Sequence, residues 1–155
     1  MPTFAGFKFG ARLSTANHVG GDCFDFIPCR VNGKENLLVL IADATGHGIA
    51  AALMMAETRA YVRALALTCV DIGTLLAVTN SRLASDLAEG FVTGLLVLID
   101  PYSRSLLHTS AGHCTGYVLD HQGQTKAILP STGLPLGIDT MGEYPIGPVV
   151  PFGVG

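Results

Sequence analysis

The sequence predicts an α+β domain in which antiparallel sheets carry helices on the outside. Three observations predict it. Strand-like segments open the chain, two consecutive helical segments follow, and more strand-like segments come after them. Leu37 to Ala42 is apolar at odd and even positions alike, so a strand there is expected to be covered on both faces. Asn32-Gly33 is a strong turn signal that folds Cys23 to Cys29 back onto Leu37 to Asp43 as a hairpin.

Length and composition bound the rest. A chain of 155 residues is expected to form one domain, 1–155, large enough to bury a core. Hydrophobic residues at 49% against 14% charged exclude disorder and suggest apolar surface left over for partners. A net charge of −3, no Trp and no basic run interleaved with aromatics give no reason to expect nucleic acid or an anionic membrane surface. Apolar runs stop well short of the ~18 residues that span a bilayer. Met1-Pro2-Thr3-Phe4 lacks a signal-peptide pattern, so a cytoplasmic location is expected.

Taken in order, Phe7 to Leu13 alternates loosely and reads as a first strand, and Ser14 to Gly21 as a polar connection. Pro28 marks the Cys23–Cys29 strand as an edge or its end. Ile49, Leu53, Ala56, Ala60, Ala64 and Leu67 recur at spacings of three and four and predict the apolar face of a first helix. A second helix is expected from a cap at Asp71 through Leu75, Leu76, Val78 and Leu83 to Leu87, ending at Gly90. Phe91 to Ile99 is another doubly apolar strand ended by Asp100-Pro101. Ser105 to Ser110, Thr115 to Leu119 and Thr125 to Leu129 follow as strands. From Pro130 onward, glycines and prolines break any regular element.

The chemistry gathers at two carboxylates. Asp22 begins one arm of the hairpin and Asp43 ends the other, so both arrive at one end of the sheet. Two acids brought together away from bulk water repel unless a divalent cation lies between them. Each Asp taken singly is a turn or cap residue; the hairpin favours metal ligation. Carboxylates with water and a backbone carbonyl suit Mg²⁺ or Mn²⁺ better than zinc.

His47, in the turn Thr45-Gly46-His47-Gly48, fits a general acid or phosphate-contacting group, or equally a turn histidine bonded to local backbone. That turn lacks the spacing and lysine of a P-loop. His113 beside Cys114 is read as structural or hydrogen-bonding, because neighbours on a strand point to opposite faces. His18, His108 and His121 are read as surface or turn residues. Cys23 and Cys29 would lie roughly 20 Å apart on an extended strand, too far to share one zinc. The four cysteines are therefore expected to be buried free thiols.

Several stretches together resemble one family. Val19-Gly20-Gly21-Asp22-Cys23-Phe24-Asp25-Phe26 and Ile41-Ala42-Asp43-Ala44-Thr45-Gly46-His47-Gly48-Ile49-Ala50-Ala51-Ala52-Leu53-Met54 are similar to the SpoIIE/RsbU branch of PPM-type metal-dependent protein serine/threonine phosphatases. Phe91-Val92-Thr93, Asp100-Pro101, Ser110-Ala111-Gly112-His113 and Gly133-Leu134-Pro135-Leu136-Gly137 continue the match in register. The resemblance implies an α-β-β-α sandwich of two antiparallel sheets flanked by helices, with a two-metal Mn²⁺ or Mg²⁺ centre. Asp22 and Asp43 would be metal-bridging carboxylates and the Ala44 carbonyl a further ligand. The implied reaction is hydrolysis of phosphoserine or phosphothreonine by metal-activated water. The implied substrate is a phosphorylated regulatory protein such as an anti-sigma-factor antagonist in bacterial partner switching. His47 stands where some relatives carry Asn.

Relatives continue into an Asp-Gly strand and a final acidic residue that complete the centre. The chain ends before such a motif, and Asp100, Asp120 and Asp139 stand in the wrong contexts to replace it. The expectation is a domain incomplete at its C-terminus, with weakened metal affinity and uncovered apolar surface. Two rival expectations accompany it. One is a catalytically silent phosphatase-like module that binds a regulatory partner and self-associates over an exposed edge. The other is an unrelated metal hydrolase in which His47 and His113 converge near Asp22.

Overall fold

Asn32 and Gly33 both hold positive φ, 51° and 78°, and the two-residue turn they form matches the twist of the strands it joins. It closes a long hairpin of β1 (Asp22–Val31) and β2 (Lys34–Ala44) whose register runs from Val31 opposite Lys34 to Asp22 opposite Asp43. The computed structural model describes residues 4, 6–14, 19–69, 71–86 and 89–153. After the hairpin come α1 (Gly48–Leu65), α2 (Ile72–Asp86), β3 (Val92–Asp100), β4 (Ser105–Ala111), β5 (Gly116–Leu119), β6 (Thr125–Leu129) and β7 (Val150–Pro151). They build a five-stranded antiparallel sheet, β1-β2-β3-β4-β7, and a two-stranded ribbon, β5-β6. The α+β class holds, with helices packed on an antiparallel sheet. Pro28 lies on β1, the outermost strand, as its missing donor requires.

Alternation along the strands sorts the two sheet faces. Leu38, Leu40, Ala42 and Ala44 of β2, with Val92, Leu96 and Leu98 of β3, join Met55, Val62, Leu75, Leu76 and Leu83 of the helices in one core. The opposite face carries Leu37, Val39, Ile41 and Asp43. The expected cover on both faces is found at Leu37, which is fully buried, but fades to 45% exposure at Ile41. The ribbon shields the β3 side of that face, with Gly116 against Leu95.

The first helix is rotated from the sequence expectation. Ile49, Leu53 and Leu67 are 72%, 65% and 80% exposed, and Ala56, Ala60 and Ala64 are exposed beside them. The stripe facing the sheet is Ala51, Met55, Thr58 and Val62, continued by Ala66 beyond the helix. Both stripes satisfy the helical spacing, and a threonine disguised the true one. Thr58 is buried because its hydroxyl donates to the Met54 carbonyl at 2.8 Å. Arg59 and Arg63 fix the rotation by reaching Asp25 of β1, whose carboxylate is 7% exposed. Their bonds are 2.7 Å and 2.5 Å from the two Nε atoms, with a second Arg63 contact of 2.7 Å.

The second helix begins where expected. The Asp71 carboxylate accepts the Thr74 N–H at 2.6 Å, as an N-cap should. Leu87 lies outside the described residues, and Val78 is exposed rather than core. Phe7 to Leu13 forms no strand; its alternation instead sets Phe9 against Phe26 of β1, with ring centroids 5.0 Å apart. His108 is fully buried on β4 rather than in a turn, because the strand's alternation points it inward and Gly147 leaves room for the ring. His121 does lie in an exposed turn, and His18 falls outside the described residues. The cysteines are free, but none is fully buried, and Cys114 is exposed.

Candidate metal centre

Three side chains share one cross-strand row. Asp22 of β1 is directly opposite Asp43 of β2, and Asp43 is directly opposite Thr93 of β3. Directly opposed residues project from the same face of a sheet with Cβ atoms about 5 Å apart, so the two carboxylates converge at one sheet end. Both residues are exposed, as ion capture requires. Lost hydration, then the negative charge of Asp22, push the Asp43 carboxyl above its usual range, with His113 working against them.

The Ala44 carbonyl lies beside the same pair. The Ala44 N–H donates to the Gly21 carbonyl at 3.2 Å, and a Cβ on Gly21 would sit 2.6 Å from the Ala44 oxygen. Glycine at 21 therefore allows this close approach of the chain entering β1 to the Ala44 oxygen. Two acids in like-charge contact and an oxygen in a glycine cradle are hard donors, and they fit a hard divalent cation. Among the described residues, no group of three or more His, Cys, Asp or Glu is gathered to hold a metal.

The strand-to-helix turn is pinned by Thr45. Its hydroxyl donates to the Phe91 carbonyl at 3.1 Å and accepts the Phe91 N–H at 3.0 Å. Gly46 and Gly48 hold positive φ of 88° and 74° around His47, which caps α1 with extended backbone and no side-chain hydrogen bond. His47 is exposed there.

His113 reaches Thr93 of the same row, whereas His47 shows no polar contact with the acids. Its Nδ1 lies 2.9 Å from Thr93 Oγ1, which gives it the hydrogen-bonding role expected of it. Burial pushes the imidazole below its ordinary value, against the pull of Asp43 and Asp22. Asp100, Asp120 and Asp139 serve elsewhere, each accepting backbone N–H groups of its own turn. Thr93 and Gly21 were not singled out from the sequence as site residues. The signal for Thr93 was a lone hydroxyl in an otherwise apolar strand.

The model of the family described as Stage II sporulation protein E (SpoIIE) matches residues 33–149. The chain belongs to the SpoIIE family. Phosphoserine phosphatase RsbU of Bacillus subtilis (strain 168) is 28% identical to it over 145 residues, covering 93% of the chain and 42% of RsbU. The chain thus spans less than half the length of that relative. Among solved structures, the PP2C phosphatase domain of SpoIIE from Bacillus subtilis superposes with a TM-score of 0.70 at 19% identity, over 88% of this chain and 39% of that one. The SiaA-PP2C domain of Pseudomonas aeruginosa gives 0.69 at 24%, over 87% and 51%. A Mycobacterium tuberculosis structure of RsbU and RsbW domains gives 0.65 at 22%, over 86% and 37%. At these identities the structures establish the shared SpoIIE-family fold.

Proposed function

We propose that this SpoIIE-family domain is a metal-dependent phosphoprotein phosphatase of the bacterial sigma-factor partner-switching type. Its substrate class is phosphoserine or phosphothreonine in a regulatory protein such as an anti-sigma-factor antagonist, in the cytoplasm. The single observation that carries the reading is the direct opposition of Asp22 and Asp43, with the Ala44 carbonyl beside them. Asp22, Asp43 and the Ala44 oxygen would hold Mn²⁺ or Mg²⁺. Such a cation, when bound, supplies an acidified water and neutralises phosphoryl charge. The residues themselves bring the donors into register across the hairpin and keep one sheet end open to a phosphorylated side chain. His47, at the exposed amino end of α1, is the candidate to meet the incoming phosphate or leaving group.

A second reading, a silent module that binds a regulatory partner, is favoured by one observation. The described residues gather two carboxylates, not a fuller acidic set. Calorimetric titration with Mn²⁺, followed by phosphate release from a phosphoserine peptide, separates the two. Saturable uptake that Asp43→Asn abolishes, with turnover that depends on Mn²⁺, is the expected result. No saturable uptake would leave the silent module as the better description.

A further inference from the structure

We propose that His113, oriented by Thr93, donates a hydrogen bond from Nε2 to a phosphoryl oxygen of the substrate. The inference rests on the phosphatase reading above and adds a substrate-touching group to it.

The orientation comes from the backbone. At the end of β4 the chain reverses at Gly112, whose φ is +64°. Its N–H is held by Ser131 Oγ at 2.8 Å and by the Gly133 carbonyl at 2.9 Å. Pro135 fills the space that a Cβ would need, with its Cγ at 2.5 Å. This fixed reversal delivers His113 to the row that contains Asp22, Asp43 and Thr93.

Thr93 then pairs with one ring nitrogen. Its Oγ1 is 2.9 Å from His113 Nδ1 but 3.4 Å from the Asp43 carbonyl. Either partner can donate across the shorter contact, and we assign the single hydroxyl proton to it rather than to the carbonyl. Nδ1 therefore accepts, and in the neutral ring the proton sits on Nε2. Among the described residues Nε2 has no hydrogen-bond partner, and it is not one of the sealed buried atoms. An unpartnered N–H cannot ligate a cation, but it matches a phosphoryl oxygen. The basic side chains of α1 cannot take that role, since Arg59 and Arg63 are engaged with Asp25 on the other sheet face.

The test uses the chain with Mg²⁺ and inorganic phosphate as probe. Nitrogen-15 imidazole NMR of the metal-free chain should show His113 protonated on Nε2, and Thr93→Val should mix the tautomers. In the presence of Mg²⁺, phosphate should shift the His113 ring resonances. His113→Ala should weaken phosphate binding about 10-fold while Mg²⁺ affinity stays within about twofold. His113→Gln, which keeps a donor, should recover part of that loss. A dominant Nδ1–H tautomer overturns the proposal, as does unchanged phosphate affinity in His113→Ala when Mg²⁺ is bound. A chain that takes up no Mg²⁺ overturns the metal-centre reading and this inference together.

Discussion

Asp22 and Asp43 face each other across the β1–β2 hairpin as a directly opposed pair on the sheet face away from the helices. Replacing Asp43 by Asn should abolish Mn²⁺ uptake in calorimetry without unfolding the chain. Removing one of two like charges should also hold or raise the melting temperature of the metal-free protein. Mn²⁺ should raise the melting temperature of the wild type alone, by an amount equivalent to about 2.7 kcal/mol at a hundredfold excess over Kd. A substantial fall in the metal-free melting temperature of the variant would show that the pair is structural.

Gly21→Ala tests the cradle around the Ala44 carbonyl. The added methyl would lie 2.6 Å from a backbone oxygen, so the β1 entry or the β2 end must shift. The expected cost is about 1–3 kcal/mol in urea unfolding, with weaker Mn²⁺ binding. A fully stable variant with native Mn²⁺ affinity would place the Ala44 oxygen outside the centre.

Asp25 ties the edge strand to α1 through both arginines. Burial raises its carboxyl, but hydrogen bonds from Arg63 and Arg59 outweigh this and hold it below the usual range. The folded state thus binds the proton less readily than the unfolded chain. Stability from the pair is complete above the ordinary carboxylate value and is lost as pH falls through the depressed one. Asp25→Asn should cost about 2 kcal/mol near pH 7, because the arginines are half exposed and the full penalty of a buried pair does not apply. The gap between variant and wild type in urea unfolding should close at acid pH.

The two stripes of α1 make opposite predictions. Val62→Ala, at a fully buried position, should destabilise by roughly 2 kcal/mol. Leu53→Ser, at 65% exposure, should change unfolding free energy by less than about 0.5 kcal/mol. Reversed results would restore the helix rotation that sequence spacing suggested.

His108 is fully buried, and neither ring nitrogen has a hydrogen-bond partner among the described residues. Burial pushes its imidazole below the ordinary value. Stability should therefore be complete above the ordinary imidazole value and decline as pH falls beneath it toward the depressed one. In His108→Leu, unfolding measured across that window should lose this part of the decline.

Much of the fold was legible because it depends on local signals. Asn32-Gly33 sets the hairpin register, and that register alone brings Asp22 to Asp43. Asp71 and Asp100 act through their own turns, so their roles could be read from neighbouring residues. The rest depends on contacts between distant segments. Nothing near Thr93 in sequence shows that His113 returns to it, since that contact is set by Gly112 and Pro135. The α1 rotation depends on Asp25, a strand residue far from Arg59 and Arg63. Nor does the alternation of Phe7 to Leu13 reveal that it serves aromatic contacts rather than a ladder.

Asp22 sits at the start of the outermost strand, hydrogen-bonded to the sheet on one side only. Ends of such strands open readily, and each opening would carry one acid away from the other. Cation capture at this end would act as a clasp, so hydrogen exchange at Cys23 and Phe24 should slow in proportion to how firmly the ion is held.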